Sequence, residues 1–234
     1  MKKIIKTPFA NMYDDASFSS QLVTQGLIWD IAEQLDRKGD WVRLRLTDGY
    51  EAWSQDFSTL ELSPETGSLL NTLPRLTVHT PFLSIYDNPA MKGQRMGVLT
   101  MGASVPYLEQ RGEDHEILLP GGRHGHVRQP ELTVTDPRDI ILCSAGRILG
   151  ASYFWGGKTE NGCDCSGLTQ MCFRIAGLSL PRDAGQQIKR LKEDPVSLRR
   201  PGRGILPSFR MKRGISCMSR SCGGRRNTFM HPAR

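Results

Sequence analysis

Residues 150–187 read GASYFWGGKTENGCDCSGLTQMCFRIAGLSLPRDAGQQ, and the reading of this stretch decides the fold of the C-terminal part of the chain. From Leu168, the apolar residues Met171, Cys172, Ile175 and Ala176 follow at i+3, i+4, i+7 and i+8, the single buried stripe of an amphipathic helix. Gly177 stands where a left-handed C-terminal cap belongs, and Leu178–Leu180 ahead of Pro181 predicts a short strand. The helix therefore starts at or just before Cys165, with Asp164 or Ser166 able to cap it. A thiol at that end meets the positive pole of the helix dipole and unpaired backbone N–H groups. Both favour thiolate and lower its pKa from about 8.5 toward neutrality. Gly156, Gly157 and Gly162 permit tight turns that leave the sulfur uncrowded. Cys165 is thus a candidate nucleophile; the alternative is a small core residue, the usual fate of a free cysteine.

Three strings in the stretch follow one another: Tyr153-x-Trp155-Gly156-Gly157, Asp164-Cys165-Ser166-Gly167-Leu168, and Leu180-Pro181-Arg182-Asp183-x-x-Gln186-Gln187. Together they resemble the NlpC/p60 family of papain-like cysteine peptidases, which cut bacterial cell-wall peptides, and they are far more specific than a lone Cys motif. The resemblance implies an α+β papain-like domain over residues 136–234, with Cys165 as the nucleophile and no metal or cofactor. It implies that the backbone N–H of Cys165 donates to the oxyanion. Tyr153 is implied to sit beside the sulfur and help hold substrate or oxyanion, a core tyrosine being the other reading. Asp164 and Ser166 are implied to contact polar groups of the substrate. Arg182 and Asp183 match a substrate-side pair, in which Arg182 meets a carboxylate such as that of γ-D-glutamate bidentately. Trp155 reads as packing, and Ala184 stands where cytoplasmic relatives carry a serine.

A papain-like site also needs a His to form the ion pair and protonate the leaving amine, and a third polar group to orient it. The family places that His downstream in a strand reading roughly G-H-V-G-I, after a G-D-L-x-F-F strand. Here the only His after Cys165 is His231, and neither pattern is recognisable. Codons read from their third base restore them. Arg203–Phe209 then permits Gly-Asp-Ile/Leu-Ala-Phe-Phe, the Cys217–Met218 junction gives His or Tyr, and Thr228–His231 permits Ile, His or Tyr, then Ala. This predicts a reading-frame slip near Pro201–Arg203, leaving 203–234 an aberrant tail; the alternative is a divergent tail in a pseudoenzyme. The apolar residues of that tail follow neither helical nor strand period.

Working outward, Asp136-Pro137 reads as an N-cap followed by proline at the first helical position. Ile141, Ala145, Ile148 and Leu149 form one face of that helix, which ends near Gly150. Ala184 to Asp194 predicts a third helix, charged on its outer face. Residues 1–62 read as all-β: Leu27-Ile28-Trp29 and the alternating Trp41–Leu46 are strand-like, with turns at Lys38-Gly39-Asp40 and Asp48-Gly49. The pattern G-D-W-V-R-L-R-L-x-D-G-Y-x-x-W resembles bacterial SH3-like barrels. Ser63 to Ser68 has the polar composition of a flexible linker. Residues 75–132 carry further short strands at Leu83–Tyr86, Gly97–Leu99, Val105–Leu108 and Glu116–Leu119. Asp114 to Gly122 can be laid over Asp40 to Gly49, which suggests a second, divergent SH3-like barrel, another kind of β-domain being the alternative. His124 and His126 form an alternate-residue pair able to ligate a metal. No Cys or acidic partner follows at ligand spacing, so they read as surface hairpin residues beside His115. Cys163 with Cys165, and Cys217 with Cys222, also lack structural-zinc spacing.

The formal net charge of +7 comes from one end. Ten Arg or Lys and no acidic residue follow Asp194, so removing them from 31 basic residues leaves 21 against 24 acidic and about −3 over residues 1–194. A nucleic-acid partner would rest wholly on that tail and is not expected. The opening MKKIIKTPFANMYDD lacks a signal-peptide apolar run and no stretch is long enough to span a membrane, which predicts a cytoplasmic protein with mostly reduced cysteines.

The expected fold class is therefore multidomain: one or two small all-β SH3-like barrels, then a papain-like NlpC/p60 domain whose C-terminal part is incomplete or frame-shifted. This order resembles the cytoplasmic murein-recycling γ-D-glutamyl-L-diamino acid endopeptidases of the dipeptidyl-peptidase VI type. The resemblance implies hydrolysis of the γ-D-glutamyl to diamino-acid bond of peptidoglycan-derived peptides with a free N-terminal L-Ala. It also implies that the first barrel leans over the site and takes the amine through Asp15 and Tyr50, although both also suit ordinary turns. The expectation for the present chain is impaired activity; the alternative from another class is a catalytically dead protein that binds cell-wall peptides.

Overall fold

The computed structural model describes residues 1–193. His231, Cys217, Cys222 and the expected frame change lie outside the described residues.

Two antiparallel β units come first. The first has seven strands: β1 (Lys2–Ile5), β2 (Phe9–Tyr13), β3 (Leu22–Leu27), β4 (Ile31–Lys38), β5 (Trp41–Leu46), β6 (Glu51–Gln55) and β7 (Thr59–Glu61), in the order β3-β2-β6-β5-β4-β1-β7. β5 shows why the sequence folds this way. Val42, Leu44 and Leu46 point into a core with Ile5, Met12 and Ala52, while Arg43 and Arg45 point outward to Glu51 and Glu33, the period of two that a half-buried strand requires. Gly39 and Gly49 take positive φ at the two hairpin turns the sequence marks.

The second unit has six strands: β8 (Arg75–Thr77), β9 (Leu83–Tyr86), β10 (Arg95–Leu99), β11 (Ser104–Arg111), β12 (Asp114–Leu118) and β13 (His124–Arg128), in the order β10-β9-β13-β12-β11-β8. Its core holds Val78, Leu99, Val105, Ile117 and Val127, and the same cluster includes Ile4, Leu27, Ile28 and Trp29 of the first unit. Leu27–Trp29 is therefore not a strand throughout. The chain turns there, with Trp29 at φ 65°, because Trp29 inserts between the units and donates its indole N–H to the Leu118 carbonyl at 2.9 Å.

The expected flexible linker is instead a helix, α1 (Pro64–Thr72), capped by Ser63, whose side chain accepts from the Thr66 amide. Ser63 followed by Pro64 is a helix-start signal, which the polar composition hides. The remaining elements are α2 (Pro137–Arg147), the two-stranded β14 (Lys158–Thr159) and β15 (Gly162–Cys163), α3 (Cys165–Ile175) and α4 (Ala184–Glu193). The Asp136 side chain caps α2 as its sequence predicts, and the expected face holds in part. Ile148 is buried and Ile141 packs against the same cluster, joined by buried Ile140 and Ser144, whereas Leu149 is 87% exposed. Met101 of the second β unit, Ile140, Met171 and Ile175 meet in one cluster, and it is this tertiary packing that selects the face.

The predicted strand at Leu178–Leu180 does not form. Gly177, at φ 77°, donates to Arg174 O and Leu178 to Phe173 O, the paired bonds of a Schellman cap. Leu178 and Leu180 are buried by packing instead. Among the described residues, no helix is long and apolar enough to cross a membrane.

Candidate active site at the start of helix α3

Asp164 is the N-cap of α3, and Cys165 is the first helical residue. The Asp164 carboxylate is fully used by the protein. Oδ1 accepts from the Gly167 amide at 2.7 Å and from Ser166 Oγ at 3.3 Å, and Oδ2 accepts from the Gly156 amide at 2.9 Å. Arg182 grips the same group bidentately, with Nη1 at 3.1 Å from Oδ1 and Nη2 at 2.5 Å from Oδ2. Its Nη1 also donates to Ser166 Oγ at 2.7 Å, and Nε donates to Thr24 Oγ1 on β3 at 3.1 Å. Burial by itself would raise the Asp164 pKa; the Arg182 hydrogen bonds and the Gly167 amide outweigh it and hold the carboxyl below its ordinary range.

This arrangement corrects the expectation for Arg182. Its residue is only 2% exposed and its guanidinium is committed to Asp164, Ser166 and Thr24, so it fixes the start of the helix rather than facing a substrate carboxylate. Asp164 and Ser166 are buried with it, and their polar side-chain atoms face Arg182 and the helix. Gln187, the last residue of the third string, adds bonds from Nε2 to Ser166 O at 3.0 Å and Pro181 O at 2.9 Å.

The glycines are explained by contact. A Cβ on Gly167 would lie 2.1 Å from Gly157 O, and one on Gly156, at φ 75°, would lie 2.6 Å from Leu22 O. The Gly156-Gly157 turn is thus wedged between β3 and the first turn of α3. Lys158 N completes the seam by donating to Gln25 Oε1 at 2.9 Å.

Cys165 is exposed. Its amide and that of Ser166 donate to no acceptor among the described residues, as expected for the first turn of a helix. Two unpaired N–H groups beside an accessible sulfur form a site able to receive an oxyanion. The other two free thiols nearby differ. Burial pushes Cys172 up to about 12, with Cys163 adding to it, and burial and the Asp164 charge raise Cys163. At pH 7, iodoacetamide should therefore label Cys165 at least about tenfold faster than Cys163 or Cys172, as read by peptide mass mapping; equal labelling in the folded chain would show that the sulfur is not presented.

Tyr153 is 66% exposed and joined to Cys163 by an isolated bridge. Trp155, expected to pack, is 58% exposed. Asp183 is exposed, next in sequence to buried Arg182. Tyr50, half-buried on the first β unit, has its phenol pKa raised by burial and by the Asp183 charge, with Arg182 opposing, so the structure brings Tyr50, Asp164, Arg182 and Asp183 within electrostatic reach of one another. Asp15 is not tied to this group. It is exposed, and its carboxylate accepts from the neighbouring Ala16 amide at 2.7 Å in its own loop.

No His among the described residues shares a hydrogen bond or ion pair with Cys165. His79 is buried against Arg147, and burial together with the Arg147 charge drives its pKa to about 3. His124 Nδ1 lies 2.8 Å from Glu116 Oε1, and among the described residues no group of three His, Cys, Asp or Glu side chains is placed to hold a metal ion. The sequence reading misses Thr24, Gln25 and Gln170. Thr24 and Gln25 lie on β3, and no local pattern links that strand to a helix 140 residues later in the chain; Gln187 alone carries a signal, being part of the third string.

Comparison with known proteins gives a consistent picture. Residues 150–230 match the model of the NlpC/P60 family. The chain is 28% identical over 185 residues to a gamma-D-glutamyl-L-lysine dipeptidyl-peptidase of Bacillus cereus, an alignment covering 72% of this chain and 55% of that protein. It is 24% identical over 200 residues to dipeptidyl-peptidase 6 of Lysinibacillus sphaericus, covering 79% of this chain and 73% of that one. The chain thus spans about half the length of the Bacillus cereus relative. The crystal structure of an NlpC/P60 family protein from Bacillus cereus superposes with a TM-score of 0.69 at 21% identity, over 81% of this chain and 77% of that one.

Proposed function

We propose that this chain, whose residues 150–230 match the model of the NlpC/P60 family, is built as a cysteine peptidase that hydrolyses the γ-D-glutamyl to diamino-acid bond of peptidoglycan peptides, in the cytoplasmic recycling of murein. The observation that carries this is the exposed Cys165 at the first turn of α3, held there by a buried Arg182–Asp164 pair.

In this reading the Cys165 thiolate attacks the γ-carbonyl carbon of D-Glu. The resulting oxyanion is received by the unpaired amides of the first helical turn, and collapse breaks the C–N bond to the diamino acid. The leaving amine needs a proton, which the family supplies from a His. The sequence after Cys165 does not carry the family's His strand, and on that ground the present chain is proposed to be impaired at that step. The first β unit, an SH3-like barrel, roofs the groove, and the second is its divergent companion. Tyr50 and exposed Asp183 form a phenol and carboxylate able to hold an ammonium. In this reading they recognise the free amine of L-Ala, the role the sequence resemblance gave to Tyr50 with Asp15, and Tyr153 stands on the sulfur's side of the groove. A second reading, a binding protein without turnover, is favoured by the same missing base.

Binding separates substrate class from catalysis. Titration calorimetry with L-Ala-γ-D-Glu-L-Lys should show saturable binding to the full chain. N-acetylating the L-Ala should weaken it by at least about tenfold, the worth of one charge-assisted hydrogen bond. Equal affinity for the acetylated peptide would remove the amine site, and no heat from either peptide would remove the substrate assignment.

A further inference from the structure

Away from Cys165, a cavity of about 210 Å³ lies where both β units meet the C-terminal end of α3. Asp30 and Asp48 of the first unit, Ser104 of the second, and Lys158, Gln170 and Arg174 are among its walls. Neither Cys165 nor Tyr153 nor Asp183 lines it. Arg174 stands about 14 Å along the helix from the thiol.

Two of the charges here satisfy each other. Arg174 Nη2 lies 2.5 Å from Asp30 Oδ1, and Asp30 Oδ2 accepts from the Leu27 amide at 2.9 Å. The other two have no ion-pair partner among the described residues. Lys158 is 5% exposed, yet among the described residues its ammonium, with three donors, reaches only Gln170 Oε1, at 3.5 Å. Asp48 accepts from Gln170 Nε2 at 2.8 Å and from the Tyr50 amide at 3.0 Å, both neutral donors. The Gln170 carboxamide therefore stands between an unpaired cation and an unpaired anion, its oxygen toward one and its nitrogen toward the other. Burying an ammonium with a single long hydrogen bond is costly, and burial pulls the Lys158 pKa down, with the Asp30 charge opposing.

We propose that this cavity binds a free α-amino acid as its zwitterion, the carboxylate received by Lys158 and the ammonium by Asp48. The volume is below the range of pockets for drug-sized ligands, which restricts the occupant to a small molecule. Opposite charges separated by one amide group match a ligand that carries both charges across a single carbon. An anion alone would answer Lys158 and leave Asp48 unpaired. The walls come from both β units and from α3, so an occupant ties the three together and stabilises the fold by mass action.

The test uses the full chain with glycine, sodium acetate and methylammonium chloride as probes, in calorimetry and thermal unfolding. Glycine should bind saturably and raise the melting temperature, and acetate and methylammonium should each bind at least about tenfold more weakly. Lys158→Met and Asp48→Asn should each weaken glycine binding by a similar factor. Equal binding of acetate and glycine overturns the proposal in favour of a simple anion hole. So does the absence of any heat from glycine up to roughly 50 mM, where even a millimolar site saturates. The comparison of probes needs only the wild-type chain, so a misfolded variant does not spare the idea.

Discussion

A chain translated from the neighbouring frame after Pro201–Arg203 should cleave L-Ala-γ-D-Glu-L-Lys at least about a thousandfold faster than the present chain. The present chain offers an exposed thiol with two free amides beside it, which accounts for attack and for the oxyanion. It offers no described base, and nucleophile and base act as a unit whose halves are not additive. In the shifted frame the Cys217–Met218 junction supplies that base only if it encodes His. Release of L-Ala-D-Glu, followed by chromatography for both chains and their Cys165→Ala variants, checks the expectation. Equal rates would show that nothing essential lies in the altered segment. A Tyr codon at the junction would remove the rationale before any protein is made.

The second large effect concerns the buried pair. Arg182→Met leaves the Asp164 carboxylate buried beside Cys165 without its cation, and breaking a buried pair in this way costs about 3–5 kcal/mol. The thermal midpoint of the full chain should fall by several degrees. Adding Asp164→Asn should recover most of it, because asparagine still caps a helix and no charge is left unpaired. The pH dependence has a definite sign. In the wild type the Asp164 pKa is held below its unfolded value of about 3.9, so the pair contributes its full stability above that pH and loses it as pH falls through the lower, folded value. Without Arg182, burial raises the Asp164 pKa and protonation relieves the variant. The gap between the two proteins should therefore narrow on acidification, as measured by melts from pH 7 down to pH 4; a gap that stays constant would mean that Arg182 acts by packing alone.

Much of the site was legible because its signals are local. Asp164, Cys165 and the stripe from Leu168 to Ala176 fix a helix start within a dozen residues, and the structure places α3 over Cys165–Ile175. The readings that failed depend on distant partners. Leu27–Trp29 has strand composition, but Trp29 answers to Leu118 in the other β unit. On α2, packing against Met101, Met171 and Ile175 takes in Ile140 beside the expected Ile141 and Ile148 and leaves Leu149 exposed. Arg182 reads as a substrate ligand because nothing near it in sequence shows that Asp164, Ser166 and Thr24 occupy it.

By itself, then, the sequence determined where Cys165 stands at the head of its helix, which residue caps that helix, and that β units precede it. Those features follow from periodicity and capping, which act over a few residues. Only the tertiary structure decided that Arg182 is a buried strut, that Thr24 and Gln25 of β3 brace the glycine turn, and that Lys158 and Asp48 face one cavity. These are consequences of desolvation and charge pairing between segments more than a hundred residues apart, and no local pattern encodes them.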